Sequence, residues 1–138
     1  MVDHIQGLPR DQTFLLPNTI EQYVQKDSPV KFINAYINKL DMEKLGFTHA
    51  IPQENGAPSY DPKDLTKLYL YGGLNHIHSS RKLERECQTH TEAIWLLKGL
   101  KPDFKTIADF RHDNADAIGA LFKDFVAFLK DLSLYGAQ

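Results

Sequence analysis

Arg81, Lys82 and Arg85 fall close together in the chain, and Lys105, Thr106 and Arg111 follow further along. Cationic side chains with several N–H donors are the groups that hold phosphate oxygens, a guanidinium in bidentate fashion. Residues 76–112 contain seven Lys/Arg and five Asp/Glu, net +2, whereas residues 1–75 and 113–138 are each net −2. Two short capped helices in that segment suit a helix-turn-helix-like unit, which sets one helix in a major groove and turns Lys105, Thr106 and Arg111 toward DNA. The same residues also fit a solvated helix surface on which Glu84 and Glu86 offset Arg81 and Arg85. An excess of two charges is weak evidence, and composition alone favours the solvated surface.

Other chemistries find less support. His76, His78, Cys87 and His90 are four potential metal ligands within fifteen positions, but their spacing fits no zinc pattern. Cys87 lies four residues after Leu83 on one helix face, which makes it a small buried hydrophobe. There is no glycine-rich phosphate loop and no Gly-x-Ser-x-Gly elbow. Asp61, Asp103, Asp109 and Asp113 stand at helix starts and ends, where capping explains them more simply than metal-assisted phosphoryl chemistry. No catalytic residue and no metal site is expected.

The elements that position these residues are helical. Residues 1–28, with Pro9, Pro17 and the apolar Phe14-Leu15-Leu16, read as an extended arm that docks on the body and holds a short helix at 19–25. Ser28-Pro29 caps a helix over 29–40 with Phe32, Ile33, Tyr36, Ile37 and Leu40 on its apolar face. A loop at 47–60 carries the Glu54-Asn55-Gly56 turn signal. Asp61-Pro62 then starts a second helix, which Gly72-Gly73 ends near 72. Ser79 or Ser80 caps a third helix to about 88, with Arg81, Lys82 and Arg85 outward, and a short apolar helix covers 92–97. Thr106 to Asp109 resembles a capping box opening a helix to about 113. Asn114 caps the last helix, where Ile118, Leu121, Phe122, Phe125, Phe128, Leu129 and Leu132 form the strongest apolar stripe and the expected spine of the core. No segment alternates with a period of two, so the expected fold is all-α, a compact multi-helix domain.

The chain has 138 residues, 42% hydrophobic, with one Cys and a formal net charge of −2. That length supports one domain with its own core, without disulfides or a structural metal. The balance of charge excludes a strong unspecific nucleic-acid binder and leaves DNA binding to a local patch. No apolar run is long enough for a membrane span and the first residues lack a signal-peptide layout, so a cytoplasmic protein is expected.

The segments Ser59-Tyr60-Asp61-Pro62, Leu68-Tyr69-Leu70-Tyr71-Gly72, Leu74-Asn75, Ser79 to Glu86 and Lys101 to Asn114, in this order and spacing, resemble the N-terminal region of bacterial insertion-sequence transposases of the DDE type. The similarity runs from His4-Ile5-Gln6-Gly7 to about Gly136. It implies a helical domain, here 29–138 behind the arm, that holds the transposase on the ends of its element. It further implies a separate RNase-H-like domain, with three carboxylates that bind Mg, whose first catalytic Asp follows a segment similar to Leu132 to Gly136. No acid before Gln138 matches a catalytic position, so this chain is expected to need no cofactor and to perform no strand transfer. Family members often carry Arg where this chain has Ala57, His76 and His78, and an imidazole is mostly uncharged at neutral pH.

The leading reading is therefore a DNA-binding and positioning module that recognises element ends through Arg81, Lys82, Arg85, Lys105 and Arg111, with Thr106 reaching bases. The alternatives are a protein-interaction module, docking the catalytic domain or a second copy, and a truncated relic without activity. DNA binding requires the basic residues on one face, whereas docking requires an exposed apolar patch.

Overall fold

The computed structural model describes residues 4–7, 10, 20–47 and 60–135, with side chains through 132. The described residues form five α-helices: α1 (Pro29–Asn38), α2 (Pro62–Leu74), α3 (Ser80–Thr89), α4 (Thr91–Leu96) and α5 (Phe104–Tyr135), preceded by a 3-10 turn at Ile20–Tyr23. Among these residues there is no strand, only an isolated parallel bridge between Ile5 and Tyr60. The fold is all-α, as the periodicity indicated. Phe14-Leu15-Leu16 and most of the 47–60 loop lie outside the described residues.

Helix starts follow local chemistry. The Ser28 hydroxyl accepts from Val30 N at 3.4 Å, and the Asp61 carboxylate accepts from Lys63 N at 2.9 Å. In both helices proline occupies the first turn, where a missing N–H leaves nothing unsatisfied. Ser79 accepts from Lys82 N at 3.3 Å to start α3. The start of α5 differs from expectation: the helix opens at Phe104 and is capped by Asp103 in place of Thr106, the Asp103 carboxylate accepting from Thr106 N at 2.9 Å. Asp103 precedes the helix and therefore sits where a side chain can reach a free N–H, whereas Thr106 is already inside.

One further expectation is corrected. Gly72 and Gly73 do not end α2, which continues to Leu74. They are packing sites: a Cβ on Gly72 would lie 2.8 Å from Ile77 O, and one on Gly73 would lie 2.4 Å from Phe122 Cε1. The chain instead turns at His76, in the left-handed region at φ 58, and Ile77 N–H returns to Gly72 O at 2.8 Å. The break expected at Asn114 is present: the helix from 104 and the last helix meet there at a kink (φ −129, ψ 24) within α5, and the buried Asn114 amide donates to Phe110 O at 3.1 Å.

The core lies where α1, α2, α4 and α5 meet, around Ile33, Ile37, Leu68, Leu70, Leu96, Leu97, Ile107 and Phe125, each no more than 2% exposed. The apolar stripes are only partly absorbed. Phe32 on α1 is 39% exposed, and on α5 the burial stops after Phe125, leaving Phe128 and Leu132 each 36% exposed. Helical period assigns a side chain to a face but does not say how far along the helix the neighbouring layer extends.

Candidate nucleic-acid interface

Leu83 and Cys87 are fully buried and fix the rotation of α3. With that face inward, Arg81, Lys82 and Arg85 emerge together into solvent on the opposite side. Helix α3 packs on α5, its start lying along the first two turns of the longer helix. At one end of this seam the Arg81 guanidinium stacks on the Phe104 ring, 3.8 Å from its centroid. At the other, Arg111 donates to His78 O at 3.1 Å and lies 6.0 Å from the centroid of the Tyr69 ring. Tyr69 is itself held by donating to Ile107 O at 2.5 Å. The two guanidiniums are thus oriented by aromatic rings while both remain exposed.

Lys105 is exposed next to Phe104, the ring that Arg81 covers, so Arg81, Lys105 and Arg111 border the α3–α5 seam, while Lys82 and Arg85 lie on the solvent face of α3. Thr106 is not brought to that group. It is half-buried and lines a separate 280 Å³ hollow with Tyr60, Leu65, Asp109 and Asp113, a setting whose carboxylates repel phosphate.

Cys87 behaves as the apolar stripe required: burial pushes its thiol up to about 12, with Glu86 and Glu84 adding to the effect. A thiol held this far above neutrality is not a nucleophile. Among the described residues no group of three or more His, Cys, Asp or Glu side chains is placed to hold a metal ion. Among the described residues no helix is long and apolar enough to cross a membrane.

The reading of isolated segments missed a buried polar centre. Lys67, 2% exposed, donates to Asn34 Oδ1 at 2.9 Å and lies 3.9 Å from Asp64, itself 4% exposed. Arg10 donates to the same Asn34 oxygen at 2.9 Å and to the carbonyls of Trp95 (2.9 Å) and Leu96 (3.2 Å), and its guanidinium covers the Trp95 ring at 4.5 Å. Burial pushes the Lys67 ammonium down to about 8, against the pull of Asp64. Burial also raises the Asp64 carboxyl. The only sequence signal was Lys67 between Leu65 and Leu68, on the apolar side of α2.

The described residues form a small all-α body in which a surface helix carrying Arg81, Lys82 and Arg85 is braced against a longer helix. Residues 18–113 match the family described as transposase domain (DUF772). The chain belongs to that family, in agreement with the resemblance to DDE-type insertion-sequence transposases. No curated protein and no solved structure matches the chain.

Proposed function

We propose that this chain is the DNA-binding and positioning module of an insertion-sequence transposase, a body of residues 29–138 with an N-terminal arm at 1–28, and that it holds element ends without performing strand transfer itself. The reading rests above all on one observation: Arg81, Lys82 and Arg85 share the solvent face of α3, with Arg81 stacked on Phe104 beside Lys105. These residues and Arg111 contact phosphates, and α3 is the element that approaches the duplex in the manner of a helix-turn-helix. Thr106, among carboxylates, stands outside the phosphate-contacting set. Strand cleavage belongs to a separate Mg-dependent domain. The test is fluorescence anisotropy of the chain with labelled duplex from the element ends and with scrambled duplex, at two salt concentrations. Preference for the ends, with affinity falling steeply as salt rises, is the expected result. Equal and feeble binding to both would defeat the proposal.

A second reading has its own support in the exposed Phe32, Phe128 and Leu132. They mark a face for the catalytic domain or a second copy, and this role is compatible with DNA binding on α3.

A further inference from the structure

Beside the basic seam, between the end of α2 and α5 beyond its bend, lies an open groove of about 450 Å³. Tyr69, Ile118 and Phe122 supply half-buried apolar surface, and the exposed Arg111 and His78 also line it. Gly119 is the informative position. A helix interior disfavours glycine, and glycine is kept there when space or backbone demands it. Gly73, across the same groove, is so demanded, because any Cβ would strike the Phe122 ring. At Gly119 nothing lies within 4 Å of where a Cβ would stand. The missing side chain leaves the groove open and packs against nothing.

Arg111 gives the groove its chemistry. Its guanidinium is held in place by the His78 carbonyl and the Tyr69 ring, at the point where the α3 face begins. A ligand suited to this site pairs a flat, apolar-faced group for the aromatic and aliphatic surface with an adjoining anion for the guanidinium. We propose that the groove takes an unpaired nucleobase of DNA, with the neighbouring phosphate on Arg111. This inference rests on the DNA-binding reading of the α3 face and adds to it a preference for DNA in which a base is free of the duplex stack. Aromatic rings and arginine planes accept any base in this way, so the preference is for structure rather than sequence.

The test compares a blunt labelled duplex with the same duplex carrying a short single-stranded overhang, against the wild-type chain and Gly119→Leu, a variant that fills the groove where the helix has room. Wild-type protein is expected to bind the overhang roughly tenfold more tightly, within the range that stacking of one base supplies. Gly119→Leu should lose that preference while keeping its affinity for the blunt duplex. In parallel, 2-aminopurine at the first unpaired position should change its emission with wild type and not with Gly119→Leu. Equal binding of both duplexes by wild type, or a preference that survives Gly119→Leu, would overturn the inference and leave the groove to a protein side chain, with the DNA-binding reading intact. Binding of neither duplex would overturn both.

Discussion

The molecule holds two groups of cationic side chains that look alike in sequence and differ in what surrounds them. In the centre formed by Arg10, Asn34, Asp64 and Lys67, Lys67 is buried and Arg10 half-buried, and both spend their donors on carbonyl and amide oxygens of the protein. On α3 and the start of α5, Arg81, Lys82, Arg85 and Lys105 keep their water, and only the orientation of Arg81 is fixed, by the Phe104 ring. A buried cation whose partners are removed leaves charge uncompensated, whereas an exposed one loses little when its neighbours change. The first group therefore belongs to stability, and the second is free to serve a partner.

The sharpest way to break this contrast is Arg10→Ala. It removes three hydrogen bonds and the cover over Trp95, and should lower unfolding stability by about 3 kcal/mol in urea titration. Arg85→Ala should change it by less than about 0.5 kcal/mol. An effect of similar size from both would erase the distinction.

Next comes a comparison of two glycines. Gly73→Ala forces a Cβ into the Phe122 ring and should cost about 2 kcal/mol. Gly119→Ala, with open space before it, should stabilise by up to about 1 kcal/mol, both read from the urea midpoint.

On the exposed side, the double variant Arg81→Ala, Arg85→Ala should weaken element-end binding about tenfold and flatten the log–log salt dependence by about 2. Its melting temperature should stay close to that of wild type. Unchanged salt dependence would move the phosphate contacts elsewhere.

The remaining prediction concerns pH. Lys67 has a folded value of about 8 against 10.5 for the free side chain. Between these values the unfolded chain binds the extra proton, so this group adds stability as pH rises from about 8 toward 10 and withdraws it as pH falls back through 8. In Lys67→Met that rise should vanish from urea midpoints measured across the window. At pH 7 the variant should be about 2 kcal/mol less stable, with Asp64 left short of its partner.

The parts of the fold legible in the sequence are those decided within a few residues. Ser28-Pro29, Asp61-Pro62 and Ser79 announce helix starts because a cap and its N–H are neighbours in the chain. The interruption at Asn114 and the burial of Cys87 are local in the same sense. What stayed hidden depends on distant partners. Gly72-Gly73 looks like a terminator until Phe122 is placed against it, and Lys67 looks like a surface lysine until Arg10 and Asn34 close around it. The outward face of Arg81, Lys82 and Arg85 was readable because the Leu83–Cys87 spacing fixes it. That Thr106 belongs to a different surface from Arg111 was not, since that depends on which sides of α5 the neighbouring helices occupy.

The bend at Asn114 gives α5 a property that neither of its halves has alone. A straight helix of its 32 residues would be a rod about 48 Å long. Bent at its eleventh residue, it runs from the seam with α3 at one end to the exposed Phe128 and Leu132 at the other. Those two surfaces are thereby spliced into one covalent backbone, and the direction in which the outer arm leaves the seam is set at Asn114, where the backbone departs from helical angles and the side-chain amide takes the Phe110 carbonyl.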